Sequence, residues 1–170
     1  MRDATLEDAA DCAALYAPYV LASAATFETE PPTAHEMAAR ISSAQARHAW
    51  LVLDSAGEIL GYAYGGPFKA RPAYRWACEV SVYIAQHRRG AGGGRLLYIA
   101  LLERLAGRGY RTAAAGMTQP NEASAALHRA LGFEPVGTFR RVGWKLGGWH
   151  DVCWVQRDLG SATGPPVEVF

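Results

Sequence analysis

The sequence has few cysteines, and their spacing does not suit a cross-linked or metal-stabilised protein. Cys12, Cys78 and Cys153 are odd in number and far apart, and no two of them form a C-x-x-C pair. This pattern argues against a disulfide framework and against a structural zinc site. We therefore expect free thiols, no bound metal and a cytoplasmic location.

An excess of charge of one sign and a long apolar run are also missing. The 170 residues include 17 Lys and Arg and 16 Asp and Glu, which gives a formal net charge of +1. Such a balance does not favour nucleic acid as a partner, although it leaves room for a local anion site. The first residues lack the apolar region of a secretion signal, and no apolar run is long enough to span a bilayer. We expect neither a nucleic-acid partner nor a membrane partner.

Proline and glycine divide the chain into segments whose apolar patterns predict helices and strands. A first helix is predicted near 5–16, ending before Pro18, and a second is predicted to begin at Thr33, where Glu36 completes a capping-box pattern. The other predicted elements are strands at 50–53, 59–64 and 76–84, a helix at 94–105, a strand at 112–117, a helix at 121–131 and strands at 136–141 and 150–157. This order predicts a single α/β (α+β) domain with a mixed, mostly antiparallel central sheet flanked by helices. The last segment, 160–170, contains glycine and proline and is predicted to be a flexible tail.

A glycine-rich loop, Arg89-Gly90-Ala91-Gly92-Gly93-Gly94, separates the third predicted strand from the next helix. Glycines let the backbone approach a ligand closely, and successive N–H groups at a helix N-terminus attract an anion such as a pyrophosphate. A P-loop would need Lys and then Ser or Thr after Gly94, and a Rossmann fingerprint would need a glycine in place of Arg95. The loop therefore predicts an anion site of another type, and a merely flexible loop is the alternative.

The same loop resembles the coenzyme A signature of the GNAT N-acetyltransferases, which reads R/Q-x-x-G-x-G/A between a strand and a helix. Arg89, Gly92 and Gly94 stand at the signature positions. Two flanking segments are also similar to that family. Glu79-Val80-Ser81-Val82-Tyr83-Ile84 resembles its preceding strand, and Asn121-Glu122-Ala123-Ser124 with Leu127-His128-Arg129-Ala130-Leu131-Gly132-Phe133 resembles its second cofactor-side helix.

Within that family, the phosphinothricin and methionine sulfoximine or sulfone acetyltransferases are the most similar group. The segments that carry this likeness are Phe27-Glu28-Thr29-Glu30-Pro31, Gly66-Pro67-Phe68-Lys69-Ala70-Arg71, Gly143-Trp144-Lys145 and Gly148-Trp149-His150-Asp151-Val152. The resemblance covers about residues 2–159 and implies a GNAT domain at 1–159.

The resemblance implies an enzyme that moves an acetyl group from acetyl-CoA to the α-amino group of a small amino-acid-like substrate. Phosphinothricin, methionine sulfoximine and methionine sulfone are the implied acceptors, direct transfer is the implied mechanism, and resistance is the implied role. A homodimer is implied by the family alone. Two rival functions stay open, namely acetylation of a peptide or protein and non-catalytic sensing of acyl-CoA.

Glu79 lies in a predicted strand that is otherwise apolar, where a carboxylate is costly unless it is paired or functional. Period-two alternation places Glu79, Ser81 and Tyr83 on one face of that strand. From the residues alone, a salt bridge to Arg75 or an edge-strand charge explains the carboxylate equally well. The resemblance implies instead a general base at Glu79, because a protonated amine must lose a proton, directly or through water, before it attacks a thioester.

The resemblance also implies a set of contacts to coenzyme A. Backbone groups of Val82, Tyr83 and Ile84 would hold the pantetheine arm, and one of their N–H groups would polarise the thioester carbonyl. The implied phosphate contacts are Arg89, Gly90, Gly92, Gly94 and Arg95. The implied contacts from the following helix are Asn121 and Ser124, although an asparagine at position 121 also suits a helix cap.

His128 stands where many GNAT enzymes have a tyrosine that gives a proton to the departing thiolate. The resemblance therefore makes His128 a candidate for that acid or for a hydrogen bond to the cofactor. A structural helix histidine is the alternative. Tyr83 and Tyr98 are rival proton donors, and the sequence does not rank them.

The acceptor side is predicted from a short loop before the Glu79 strand. Lys69, Arg71 and Tyr74 place two cations near an aromatic ring, which suits an acid group of a substrate. A solvated loop is the alternative, and the resemblance favours substrate contact. It also implies that Phe27 is an apolar wall for the substrate side chain.

The last predicted hairpin carries three large apolar residues, Trp144, Trp149 and Val152, which suit a pocket wall, a dimer contact or core packing. His150 and Asp151 are adjacent in the same hairpin. Neighbouring residues of a strand point to opposite faces, so this pair does not predict a metal site.

Overall fold

Seven strands form one sheet in the computed structural model, which describes residues 1–160. The strands are β1 (Arg2–Asp3), β2 (Trp50–Ser55), β3 (Glu58–Pro67), β4 (Ala77–Ile84), β5 (Thr112–Thr118), β6 (Glu134–Lys145) and β7 (Gly148–Asp158). Their order across the sheet is β1-β2-β3-β4-β5-β7-β6, and every neighbouring pair is antiparallel except β4 and β5. The predicted mixed, mostly antiparallel sheet is thereby confirmed.

Four α-helices accompany this sheet within residues 1–160: α1 (Ala9–Ala22), α2 (Ala34–Arg47), α3 (Gly93–Gly107) and α4 (Glu122–Ala130). In this part of the chain, no helix has the length and apolar character needed to cross a membrane. The predicted flexible tail lies outside the described residues except for Gly160.

The predicted end of the first helix before Pro18 is wrong, because α1 continues through Pro18 to Ala22. A proline inside a helix removes one hydrogen bond and costs about 3 kcal/mol. Tyr19 and Val20 follow it directly and are only 7% and 1% exposed. Burial of two such side chains contributes enough apolar stabilisation to offset that cost.

The predicted capping box at the start of α2 is confirmed. The Glu36 N–H donates to Thr33 Oγ1 at 3.2 Å, and the Thr33 N–H donates to the Glu36 carboxylate at 2.7 Å. Two backbone donors that α2 would otherwise leave unpaired are therefore satisfied.

The two faces of the sheet bury separate cores. On one face α3 packs with Leu97, Leu101 and Leu105, each fully buried, as its apolar sequence predicts. On the other face α1 and α2 enclose an aromatic core that includes Trp50 and Tyr62. We call these the α3 core and the α1–α2 core.

Strands β4 and β5 run side by side for only a short distance. Three residue pairs join them, of which the last is Glu79 with Ala114. Beyond that point β5 continues against β7 as far as Thr118. From Val80 to Ile84, one edge of β4 therefore has no strand beside it.

Candidate active site

The open edge of β4 carries backbone groups that the sheet does not pair. At one end, the Tyr98 hydroxyl donates to the Val80 carbonyl at 3.3 Å. At the other end, the Tyr19 hydroxyl donates to the Ile84 carbonyl at 2.6 Å and accepts from the Ile84 N–H at 3.3 Å. Peptide groups alternate between the two edges of a strand, so the N–H and C=O of Val82 also face this edge. No group among residues 1–160 pairs with them.

This arrangement refines the predicted backbone contacts of Val82, Tyr83 and Ile84. The groups of Ile84 are already bonded by Tyr19, and those of Tyr83 face β3, where it is paired with Tyr62. Of these three residues, Val82 is the one whose N–H and C=O both face the open edge of β4 with no partner among residues 1–160.

The glycine loop leads directly from the end of β4 into α3. Gly90 and Gly92 have φ of +79° and +82°, in the left-handed region that favours glycine, and Gly92 is the N-cap of α3. Arg95 lies exposed in the first turn of α3. Arg89 turns back toward α1, with its guanidinium carbon 4.9 Å from the centre of the Tyr19 ring. The loop therefore offers a helix N-terminus and nearby cations to an anion.

Glu79 is a half-buried carboxylate at the point where β4 and β5 separate. Burial raises the pKa of its carboxyl above the usual value, and the positive charge of Lys69 partly offsets that rise. A carboxylate with a raised pKa is a better proton acceptor for an amine than an ordinary exposed one. Glu79 therefore has the chemical character of a general base.

A groove of about 1150 Å³ runs between α2 and the loop after β3. Lys69, Arg71 and Tyr74, the residues of the predicted substrate loop, line it together, and Tyr64 and Arg40 lie on its other sides. No Asp or Glu among residues 1–160 lines the groove. Its charge therefore favours a ligand that carries an acid group.

Phe27 lies outside this groove lining and rests on the β6–β7 hairpin. A Cβ atom at Gly143 would be 2.2 Å from the Phe27 ring, so only glycine permits this contact. Beside it, Lys145 is buried at 6% exposure and donates from Nζ to the Thr26 carbonyl at 2.7 Å. The hairpin thus fixes the segment that carries Phe27.

His128 is buried at 3% exposure on α4, and both of its ring nitrogens have partners. Nδ1 lies 2.8 Å from the Ser124 carbonyl, which can only accept, so Nδ1 carries the hydrogen. Nε2 lies 3.2 Å from the Tyr98 hydroxyl. Burial lowers the pKa of the imidazole below its usual value, which favours the neutral ring. Nε2 of that ring only accepts, so the Tyr98 hydroxyl donates its one hydrogen either to Nε2 or to the Val80 carbonyl.

The remaining predicted contacts lie at the start of α4. The Asn121 side chain accepts from the Ser124 N–H at 3.1 Å, which is the helix-capping role. The Ser124 hydroxyl lies 3.3 Å from His128 Nδ1. Within residues 1–160, no group of three or more potential metal ligands comes together.

The family of this chain follows from comparison with known sequences. The family model described as an acetyltransferase (GNAT) domain matches residues 1–154. The chain belongs to the GNAT acetyltransferase family. The predicted family is thereby confirmed.

Two curated GNAT relatives span most of the chain. It is 40% identical over 169 residues to the phosphinothricin N-acetyltransferase of Streptomyces viridochromogenes, which covers 99% of this chain and 92% of the relative. It is 32% identical over 162 residues to the L-methionine sulfoximine/L-methionine sulfone acetyltransferase of Salmonella typhimurium, covering 93% and 95% of the two chains.

A solved GNAT structure superposes closely on this fold. It is a phosphinothricin acetyltransferase from Sinorhizobium meliloti in complex with AcCoA, and the TM-score is 0.94 at 39% identity. The match covers 99% of this chain and 94% of the other. Acetyl-CoA, the co-substrate implied by the resemblance, is therefore present in a close structural neighbour.

The described residues of this GNAT domain fit coenzyme A by their own geometry. Unpaired peptide groups at Val82 suit the amides of an extended arm, which would add to β4 as a strand does. The glycine loop and the start of α3 suit its phosphates. The fit rests mainly on backbone groups.

Two site residues escaped the sequence analysis, Tyr16 and Tyr19 of α1. They stand three positions apart on one helix, a spacing that predicts core residues and nothing more. What points to a function is the hydrogen bonding of their hydroxyl groups, that of Tyr19 with Ile84 and that of Tyr16 with Thr26. Only the folded chain brings these atoms together.

Proposed function

We propose that this chain transfers the acetyl group of acetyl-CoA to the α-amino group of phosphinothricin, methionine sulfoximine, methionine sulfone or a related amino acid. The observation that carries the proposal is the position of Glu79. Its half-buried carboxylate stands where the open edge of β4 begins, and Lys69 of the cationic groove acts on its charge. The relatives named above support the acceptor class.

The proposed mechanism is direct transfer with both substrates bound. Bound acetyl-CoA supplies the acetyl group as a thioester, which an uncharged amine attacks. Glu79 takes the proton of the acceptor ammonium group, directly or through water, and its raised pKa suits that step. Val82 holds the cofactor arm through its free N–H and C=O.

We assign the return of a proton to the leaving sulfur to the Tyr98 hydroxyl, which His128 orients. The hydroxyl lies within hydrogen-bond distance of His128 Nε2 and of the Val80 carbonyl on the edge of β4, and both of these atoms accept. The hydroxyl gives its one hydrogen to the thiolate, and water returns a proton to the tyrosinate once coenzyme A has left, because Nε2 of the neutral imidazole has none to give. In His128→Asn we expect slower transfer with unchanged affinity for coenzyme A, and unchanged transfer would limit His128 to a structural role.

On the acceptor side, Lys69 and Arg71 bind the acid group of the amino acid. Both are exposed cations of a groove whose described lining contains no carboxylate. Phe27, although it lies outside the lining of the groove, forms an apolar wall for the substrate side chain and is held in place by its contact with Gly143. We propose these roles because charge and shape agree with the acceptors of the relatives.

The decisive experiment measures release of free coenzyme A thiol from acetyl-CoA. The acceptors are phosphinothricin, methionine sulfoximine, methionine sulfone, the common amino acids and a panel of peptides. We expect transfer to the first three, and a fall in kcat of roughly 10²- to 10⁴-fold in Glu79→Gln, which removes the base and keeps the shape of the side chain. Glu103→Gln, an exposed carboxylate of α3, is the matched control and should retain full activity.

Each other result of that assay contradicts part of the proposal. Transfer to peptides alone would replace the acceptor class and keep the enzyme class. Binding of acetyl-CoA without transfer to any amine would favour an acyl-CoA sensor. Full activity of Glu79→Gln would contradict the assignment of Glu79 as the general base.

We also propose that the chain forms a homodimer through the β6–β7 hairpin. Six large apolar side chains of this hairpin are more than half exposed: Val136, Phe139, Val142, Trp144, Leu146 and Trp149. An apolar surface of this kind suits an interface between two copies. The exposure of both tryptophans also shows that core packing was the wrong alternative for them. Analytical ultracentrifugation should give a dimer that Trp149→Glu weakens, and a monomeric wild type at micromolar concentration would contradict the proposal.

A further inference from the structure

Two neighbouring tyrosines of α1 pack on the same core ring, and their hydroxyl groups bond residues on different sides of the site. Tyr16 and Tyr19 are 4% and 7% exposed. Both rings meet the Tyr83 ring edge-on, with centroid distances of 4.7 and 5.0 Å. Their packing is therefore nearly equivalent, and the hydroxyl groups make the difference.

The Tyr19 hydroxyl completes the open edge of β4. It donates to the Ile84 carbonyl and accepts from the Ile84 N–H, which are the two bonds that a neighbouring strand would otherwise make. The same ring lies beneath the Arg89 guanidinium. Tyr19 therefore holds both the end of β4 and the first residue of the glycine loop.

The Tyr16 hydroxyl bonds the two residues that flank Phe27. It donates to the Glu28 carboxylate at 3.1 Å and lies 2.6 Å from Thr26 Oγ1, which donates in return because Glu28 can only accept. Glu28 also accepts from the two terminal guanidinium nitrogens of Arg40, Nη1 and Nη2, at 2.7 and 2.9 Å. Tyr16 therefore fixes the backbone on either side of the apolar wall.

We propose that α1 positions the two substrates separately, with Tyr19 as a positioning residue for acetyl-CoA and Tyr16 as a positioning residue for the amino-acid acceptor. Neither tyrosine needs to touch a reacting atom. The inference rests on the proposed function, since it assumes that the edge of β4 holds the cofactor and that Phe27 faces the acceptor.

The test compares Tyr19→Phe with Tyr16→Phe, since each change removes one hydroxyl and keeps the ring against Tyr83. The dissociation constant of coenzyme A is measured by calorimetry without acceptor, and the KM of the acceptor is measured at saturating acetyl-CoA. For Tyr19→Phe we expect the dissociation constant of coenzyme A to rise about fivefold to thirtyfold, as for the loss of both hydrogen bonds to Ile84, with the acceptor KM unchanged. For Tyr16→Phe we expect the KM of the acceptor to rise and the dissociation constant of coenzyme A to stay unchanged.

A rescue experiment separates positioning from folding. 4-Aminophenylalanine at position 19 returns a hydrogen-bonding group to the same place and should restore the affinity for coenzyme A. Thermal unfolding of all variants is recorded beside the binding data. If Tyr19→Phe does not fold, an affinity unchanged from the wild type in the 4-amino variant still supports the inference, and a weakened one contradicts it.

The outcomes distinguish this inference from the proposed function. A wild type that neither binds coenzyme A nor transfers acetyl would count against the function itself. A normal wild type with unchanged constants in both tyrosine variants would overturn the inference alone. Equal changes of both constants in both variants would also overturn it, because they would indicate a general loss of structure.

Discussion

The cofactor side and the acceptor side of this site are built from different kinds of atoms. On the cofactor side, the proposed contacts are mostly backbone groups of one continuous stretch from Val82 to the start of α3. On the acceptor side they are side chains from distant segments, namely Phe27, Lys69, Glu79 and the hairpin that contains Gly143. Backbone groups are present whatever the side chain is, so the first side is constrained by conformation and the second by residue identity.

This difference predicts which changes damage which side. A substitution that alters the backbone conformation of the glycine loop should weaken only the binding of the cofactor. A residue that displaces a wall or a charge should affect the acceptor alone. Three experiments test this separation.

The largest effect is expected for Gly143→Ala. Its Cβ would lie 2.2 Å from the Phe27 ring, so the ring has to leave its position. We expect kcat/KM for the acceptor to fall roughly tenfold to hundredfold, as for a disturbed apolar pocket, with unchanged affinity for coenzyme A. The control is Gly137→Ala in the same strand, where a Cβ meets nothing within 4 Å. Unchanged acceptor kinetics in Gly143→Ala would show that Phe27 is not a wall of the pocket.

A smaller effect is expected for Gly92→Ala. Alanine at a φ of +82° is strained by about 1–2 kcal/mol, so the free loop should relax away from this conformation and binding should have to restore it. The affinity for coenzyme A should then fall roughly fivefold to thirtyfold, with the acceptor KM unchanged. Gly147→Ala, at a φ of +76° in the distant hairpin turn, carries the same strain in open space and should leave the affinity unchanged. Calorimetry that finds equal losses in both variants would contradict a local role of the loop.

The smallest effect is a shift of the pH profile in Lys69→Met. Glu79 acts as a base only when deprotonated, so activity is lost as the pH falls through its pKa. The charge of Lys69 lowers that pKa, and its removal should move the acidic limb of kcat/KM to higher pH. The shift should be below about one pH unit, because Lys69 is exposed and its charge is screened. If the acidic limb of kcat/KM lay at the same pH in Lys69→Met and in the wild type, Lys69 would not influence the pKa of Glu79.

Sequence patterns indicate the backbone conformation of the glycine loop more directly than they indicate contacts between distant side chains. Glycines that lie between a strand and a helix form a local pattern, and Gly90 and Gly92 do take positive φ. The contact of Phe27 with Gly143 joins residues that are far apart in the chain, and no local pattern indicates it. The sheet and the start of α2 were predicted correctly, because alternation and the capping box are local.

The wrong end of α1 has a related cause. Pro18 is a local signal that normally ends a helix, but the burial of Tyr19 and Val20 outweighs it. The hydroxyl groups of Tyr16 and Tyr19 acquire a role only through Thr26 and Ile84, which tertiary packing supplies. The roles of the site residues, the homodimer and the cytoplasmic location remain predictions.

The short pairing of β4 with β5 has a mechanical consequence. Three residue pairs join these strands, whereas seven join β3 to β4 and seven join β5 to β7. The sheet thus consists of two extensively paired parts, β1–β4 and β5–β7, which are joined only by the short pairing of β4 with β5. A ligand bound in the gap between β4 and β5 would contact both parts of the sheet, and it would raise the free energy of unfolding with the logarithm of its concentration above Kd. Cofactor binding would then be a structural event as well as a chemical one.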